Sequence, residues 1–271
     1  MSSNNSFQLA AIQMVSGTSV DANLARADRL VAEAAGNGAR LILLPEYFCF
    51  MGRRDTDKLA LRESPGGGPI QDFLSSTARR HGIWLLGGTL PLISEDTDRI
   101  YNSMLVFDPD GKQVARYDKI HLFGFRKGEE AFDEAATIRP GANNARVFDA
   151  PFGRTGLSVC YDLRFPELYR AMGNVSLIVV PAAFTYTTGS AHWEILLRAR
   201  AIENQCYVLA SAQGGKHENG RRTWGHSMLV DPWGEVLSRL PEGEGHVGGF
   251  IEPGRLEDVR LSLPALGHRT M

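Results

Sequence analysis

The chain has 271 residues, enough for one large domain over 1–271, and it is 43% hydrophobic and 22% charged. A formal charge of −2 gives no electrostatic reason to expect nucleic acid or an anionic membrane as partner, and no apolar run nears the roughly 20 residues that span a bilayer. Three widely spaced cysteines, Cys49, Cys160 and Cys206, suit a reducing compartment better than a disulfide scaffold. No basic, long-apolar leader opens the sequence, so a cytoplasmic setting is expected.

In chain order, Phe7 to Met14 reads as a strand. From Asp21 to Ala35 the residues Leu24, Ala27, Leu30, Val31 and Ala34 recur at helical spacing, with Gly36 to Gly38 as the stop. Ala39 to Glu46 is continuous and apolar up to its last residue, the mark of a strand covered on both faces. A helix is expected over Pro69 to Arg80 and a buried strand over Ile83 to Leu92. Ser103 to Phe107 and Lys112 to Tyr117 flank Asp108-Pro109-Asp110-Gly111, a hairpin turn, so the sheet is mixed. Lys119 to Asn144 shows no clear period, and a loop this long in a compact fold usually has a use.

Strands are then expected over Arg146 to Phe148, Arg154 to Val159, Val175 to Phe184 and Cys206 to Gln213. Helices are expected from Phe165 and over His192 to Gln205, with Trp193, Leu196 and Leu197 in its core. Gly214 to Trp224 reads as a polar surface loop. Ser227 to Leu240 is a second hairpin, and His246 to Ile251 a last strand before a short helix and a tail over 263–271.

The sequence also resembles itself. LILLPE from Leu41 is echoed by LIVVPA from Leu177, and NSMLVFDPDGKQVARY from Asn102 by HSMLVDPWGEVLSRL from His226. Two similar halves are expected, their sheets face to face and helices outside. That arrangement brings the C-terminal ends of equivalent strands to a common crevice.

Three reactive side chains follow apolar strands at comparable positions: Glu46, Lys119 and Cys160. A lone cysteine is usually a small buried hydrophobe, so its setting must argue for it. Cys160 sits at a strand-to-helix bend, beside backbone N–H groups that the helix leaves unpaired. A carboxylate can take the thiol proton and return it to an amine. A lysine ammonium favours thiolate and the oxygen anion of a tetrahedral intermediate. Together these suffice for acyl transfer from a carbon–nitrogen bond.

The segments LLPEYF (Leu43 to Phe48), YDKIHLF (Tyr117 to Phe123) and VCYDLRFPE (Val159 to Glu167) resemble the signatures of the nitrilase, or carbon–nitrogen hydrolase, superfamily, and the likeness covers nearly the whole chain. The resemblance implies an α/β fold, a four-layer αββα sandwich with two mixed sheets and an internal pseudo-two-fold, dimerising through the helices that flank the sheets. It implies a Glu46–Lys119–Cys160 triad and no cofactor. A second active-site glutamate is implied at Glu134, with Glu129 and Glu130 competing. The region from Pro181 to Gly234 is similar to the branch containing deaminated glutathione amidases and their bacterial relatives, with the sister ω-amidases as the alternative. A small acidic amide is the implied substrate. Transfer to another amine and a nonenzymatic role on the same scaffold are the rival readings.

The backbone N–H of Tyr161, next after the nucleophile, is a candidate oxyanion donor. Asp162 and Arg164 are expected to pair and hold the turn, with Arg164 facing the pocket as the other reading. Arg126 and Lys127 are candidates for reading an acidic substrate, and Phe184, Thr185 and Tyr186 for lining the crevice. His121 reads as a loop hydrogen-bonder. Seven histidines show no metal-ligand spacing, and no phosphate loop, dinucleotide fingerprint or serine elbow is present.

Overall fold

The computed structural model describes residues 6–128 and 130–270, and of Glu130 the backbone alone. The first half runs β1 (Phe7–Gln13), α1 (Val20–Gly36), β2 (Leu41–Leu43), α2 (Pro69–His81), β3 (Trp84–Leu86), β4 (Leu90–Ile93), β5 (Ile100–Phe107) and β6 (Gln113–Asp118). A small hairpin of β7 (Gly124–Lys127) and β8 (Glu130–Asp133) follows. The second half runs β9 (Arg146–Ala150), β10 (Gly153–Leu157), α3 (Pro166–Ala171), β11 (Leu177–Ala182), α4 (Tyr186–Asn204), β12 (Tyr207–Ala212), β13 (Ser227–Val230) and β14 (Val236–Leu240). Strand β15 (Gly245–Ile251) and helix α5 (Pro253–Ser262) close it.

One sheet has the order β15-β1-β2-β3-β5-β4, with β6 also on β5, and the other β14-β13-β12-β11-β10-β9. The strands β1, β2 and β3 are parallel to one another, as are β10, β11 and β12. In each half an antiparallel hairpin then follows on the last parallel strand. The two sheets face each other through β1 and β12, where Met14 bridges to Gln213. Helices α1 and α2 cover the outer face of the first sheet, and α3 and α4 that of the second. This is the αββα sandwich, and its continuous strands are apolar because both faces are covered. Chain reversal in β15 returns the C-terminal part to the first sheet, Phe7 facing Ile251.

Local chemistry sets the helix ends. The Ser19 hydroxyl accepts from the Ala22 N–H at the start of α1 (3.3 Å). Pro69 opens α2, where its missing N–H costs nothing, and Gly82 closes it in a left-handed conformation.

Three expected elements differ from those observed. The strand expected over Ile83 to Leu92 is two strands, broken at Gly87-Gly88. At Gly88 φ is 51°, and a Cβ there would stand 2.0 Å from the Pro45 carbonyl oxygen. The break therefore lets the chain press against the loop that carries Glu46. The helix expected from His192 starts at Tyr186, because Thr185 caps it by accepting from the Thr188 N–H (3.2 Å). The aperiodic stretch after Lys119 holds the β7–β8 hairpin.

Candidate active site

Glu46 follows β2, Lys119 follows β6 and Cys160 follows β10, and all three converge between the two sheets, 1%, 0% and 7% exposed. Lys119 Nζ donates to Glu46 Oε1 (2.9 Å) and to both oxygens of Glu134 (3.0 and 2.7 Å). The remaining partners fix each carboxylate. Asn102 Nδ2 donates to Glu46 Oε1 (3.0 Å) and the Ala183 N–H to Glu46 Oε2 (2.9 Å). The Tyr47 hydroxyl donates to Glu134 Oε1 (2.8 Å), and the Phe123 N–H to Glu134 Oε2 (2.7 Å). Glu134 thus closes the base of the β7–β8 hairpin, with its own N–H on the Phe123 carbonyl (3.0 Å). Of its two competitors, Glu129 lies outside the described residues and Glu130 is described by its backbone alone.

The electrostatics separate the two carboxylates. Burial pushes the Glu46 carboxyl up, and the Lys119 charge only partly offsets it. Burial works the same way on Glu134, but Lys119, the Phe123 N–H and the Tyr47 hydroxyl outweigh it and hold its carboxyl below the ordinary value. Burial alone would drag Lys119 down, yet Glu134 and Glu46 keep it charged and raise it well above the ordinary lysine value.

Cys160 departs from the sequence expectation. Burial, then the Glu46 charge, push its thiol well above the ordinary value, and Lys119 does not compensate because two carboxylates already neutralise it. Near neutral pH the resting group is therefore a thiol, in the same cavity wall as Glu46. Cys160 is also backbone-strained, at φ 50°, as is Tyr47, at φ 57°. Such left-handed conformations cost on the order of 1–3 kcal/mol and gather at functional sites.

A short 3₁₀ turn over Cys160–Arg164 begins at this cysteine. The Tyr161 N–H falls in its first residues, which have no acceptor within the turn. Asp162 holds this turn, but not through Arg164. Its carboxylate accepts from the Val159 N–H (2.8 Å), the Tyr117 hydroxyl (2.7 Å) and the His121 N–H (3.0 Å). The His121 ring, stacked 3.7 Å from Phe165, also bonds Asp162 through Nδ1 (2.7 Å). Asp162 therefore ties the end of β6, which carries Lys119, to the turn that carries Cys160. Arg164 instead donates to His192 Nδ1 (3.2 Å) and lies over the rings of Tyr161 and Phe184, 5.5 Å from each, outside the cavity wall.

The cavity above Cys160 measures about 570 Å³. Glu46, Tyr47, Glu134 and Cys160 lie in its wall, with Thr185 and Tyr186 among the lining as expected. Phe184 lies instead at a small recess beside Cys160 and packs on Trp193, with ring centroids 4.9 Å apart. Arg126 and Lys127, on β7, are exposed and do not line the cavity. Its cations are Lys58, Arg221 and Arg222, which the sequence reading passed over. Two of these come from the Gly214–Trp224 stretch, read as surface loop. It folds inward because buried His217 bonds the Ser16 carbonyl (2.9 Å) and the Thr223 hydroxyl (2.8 Å). The polar run Lys216 to Asn219 and the single pair Arg221-Arg222 gave no signal of that. Among the described residues no three His, Cys, Asp or Glu side chains are grouped to hold a metal ion.

A buried thiol in the same cavity wall as a carboxylate, with a compensated lysine between two acids, is an arrangement that can support cysteine-dependent acyl transfer on an αββα scaffold. Comparison with known proteins agrees. The carbon–nitrogen hydrolase family model matches residues 8–260, and the chain belongs to that family of enzymes. A deaminated glutathione amidase of Yersinia enterocolitica is 42% identical over 265 residues, covering 96% of this chain and 92% of that protein. An ω-amidase of Danio rerio is 40% identical, covering 97% and 94%. The crystal structure of the C. elegans NitFhit protein superposes with a TM-score of 0.88 at 36% identity, over 97% of this chain and 65% of that longer one.

Proposed function

We propose that the chain hydrolyses deaminated glutathione to 2-oxoglutarate and cysteinylglycine, with Cys160 as nucleophile, Glu46 as base and acid, and Lys119 as oxyanion stabiliser. The observation that carries the mechanism is the position of Lys119 Nζ, 2.9 Å from Glu46 Oε1 with both side chains buried. As the sulfur attacks the amide carbon, its proton passes to Glu46 and the carbonyl oxygen becomes anionic. The charge leaves one neighbour of Lys119 and appears beside another. The site's net charge does not change, so little reorganisation is required. The Tyr161 N–H supports the same oxygen.

Collapse breaks the carbon–nitrogen bond as Glu46 returns the proton to the departing amine. Water then attacks the thioester, giving its proton to Glu46, and the carbon–sulfur bond breaks as Cys160 is reprotonated. Glu134 stays ionised throughout, holds Lys119 in line and faces the substrate. The 570 Å³ cavity supports a leaving group as large as a dipeptide. The ω-amidase reading, α-ketoglutaramate as substrate, has the Danio rerio relative in its favour. Side-by-side kinetics decide: kcat/KM is expected to be larger for deaminated glutathione, and a tenfold advantage for α-ketoglutaramate reverses the choice. Product that appears only when an amine acceptor is added would make the enzyme an acyltransferase.

The exposed apolar residues on α4, Ile195 (69%) and Ile202 (49%), lie seven apart on one helix face. They support a homodimer formed through the helices that flank the second sheet, which light scattering on the purified protein checks.

A further inference from the structure

Lys58 stands in the cavity wall beside Tyr47, and no step above uses it. The other cations in and beneath the cavity are already matched. Lys119 serves Glu46 and Glu134, Arg221 pairs with Asp55, and Arg222 with Glu242 at 2.8 Å. Lys58 has no ion pair among the described residues, and its Nζ lies 5.8 Å from the centroid of the Tyr47 ring. An unmatched ammonium, half-buried in the wall of a cavity, lacks a counter-ion that a bound ligand can supply.

We propose that Lys58 is the specificity-determining cation of this site and pairs with the 2-oxo acid carboxylate on the acyl half of the substrate. The assignment rests on the acidic-amide reading above. Burial pushes the Lys58 ammonium down from its ordinary value, against the opposing pull of Glu134 and Asp55, and a substrate anion works in the same direction as those two. Lys58 lines the same cavity as Glu134 and Cys160, within which the acyl half of a substrate bound at Cys160 would lie. The acyl half carries its carboxylate a short chain away from the scissile carbonyl, whereas the glycine carboxylate of the leaving dipeptide is a longer reach. A cation that holds the acyl half also acts in both half-reactions, since that half stays on Cys160 after the dipeptide departs. Neither Arg126 nor Lys127 can do this from the exposed face of β7.

The test compares wild type, Lys58→Met and Lys58→Arg on deaminated glutathione, α-ketoglutaramate and pentanamide, an amide of the same chain length without the carboxylate. For both acids Lys58→Met is expected to lower kcat/KM by about 30- to 300-fold, chiefly through KM, and Lys58→Arg to restore part of it. The loss on pentanamide is expected to be at least tenfold smaller. Calorimetric binding of α-ketoglutaramate to Cys160→Ala and to the Cys160→Ala, Lys58→Met double variant should show the same weakening without turnover. Equal losses on all three amides would mean that Lys58 supports the fold of the site, and would overturn the proposal. A loss confined to deaminated glutathione would place Lys58 on the leaving side and overturn it too. Wild type that cleaves pentanamide and neither acid would instead sink the substrate reading itself.

Discussion

The two halves of the molecule share a topology and differ in what their strand ends carry. Leu9 pairs with Leu41 in the first half, and Thr155 with Leu177 in the second. Since Leu41 and Leu177 begin the repeated LILLPE and LIVVPA, Met14 stands where Cys160 does, and Ala182 where Glu46 does. Both counterparts are buried and inert. In the twin position Met14 bridges to Gln213, and the side chain of Gln213 accepts from the Ser16 N–H (3.0 Å) and donates to the Ser16 hydroxyl (2.7 Å) and the Glu46 carbonyl (3.0 Å). Gln13 similarly donates to the carbonyls of Pro241 and Gly243. One crevice of the pseudo-symmetric pair is left open for chemistry, and the other is sewn shut with amides that hold the sheets together. The buried Glu46–Lys119–Glu134 cluster and the 570 Å³ cavity lie on the open side.

That contrast can be broken by removing one group from each side. Cys160→Ala should lower turnover by about 10⁴-fold or more and leave thermal stability within a degree or two, because it deletes one sulfur atom facing a cavity. Activity above a few per cent, or a covalent substrate adduct that intact-protein mass spectrometry maps to Cys49 or Cys206, would remove Cys160 from its role. Lys119→Ala should cost about 10³-fold in kcat and also roughly 3–5 kcal/mol of stability, since it leaves Glu46 and Glu134 buried and facing without their shared cation. Chemical denaturation together with steady-state kinetics reads both, and a tenfold or smaller rate loss would place the lysine outside the chemistry.

A pH profile sharpens the open side further. In the proposed mechanism Glu46 must be ionised to accept the thiol proton, and burial raises its carboxyl above the ordinary 4.5. Activity should therefore fall on the acid side through a limb lying above 4.5, tenfold per pH unit below it. Because the Cys160 thiol is raised well above 9.0, its alkylation by iodoacetamide should stay slow near neutral pH and accelerate only in alkali. Fast alkylation at neutral pH would show a resting thiolate and displace Glu46 as the base. The smallest expected rate effect belongs to the sewn side. Gln213→Ala should destabilise the protein by about 1–3 kcal/mol, through unpaired groups at Ser16 and Glu46, while slowing turnover about tenfold or less. A rate loss as deep as that of Cys160→Ala would mean that the amide network is part of the reaction.

Much of this contrast is written in the sequence, and particular residues show where the writing stops. Continuous apolar runs such as Leu41–Leu43 and Leu177–Ala182 announce strands covered on both faces, because an exposed face would need polar alternation. The echo between the halves announces two like sheets, and three reactive residues after apolar strands announce a site at the strand ends. The split of Ile83–Leu92 was not legible. Apolar residues flank Gly87-Gly88-Thr89 on both sides, and the Gly88 conformation answers to the Pro45 carbonyl, a neighbour remote in sequence. Asp162 and Arg164, two apart, suggested a local ion pair. The carboxylate instead found Tyr117 and His121, because the fold delivers four donors to one buried oxygen pair.

The sequence by itself determined which reactive side chains stand at the strand ends and the layered class of the fold, since periodicity, apolar runs and residue type are local quantities. The tertiary structure alone decided how those groups share charge. Whether Cys160 rests as thiol or thiolate depends on Lys119 lying between two carboxylates brought from positions 46 and 134. Which cations reach the cavity was likewise decided by folding. Arg126 and Lys127 sit close to Lys119 along the chain yet point away on their hairpin, while Lys58, Arg221 and Arg222 arrive from distant loops. Burial and Coulomb energy depend on distance in space and on the exclusion of water, and neither is a property of neighbours along the chain.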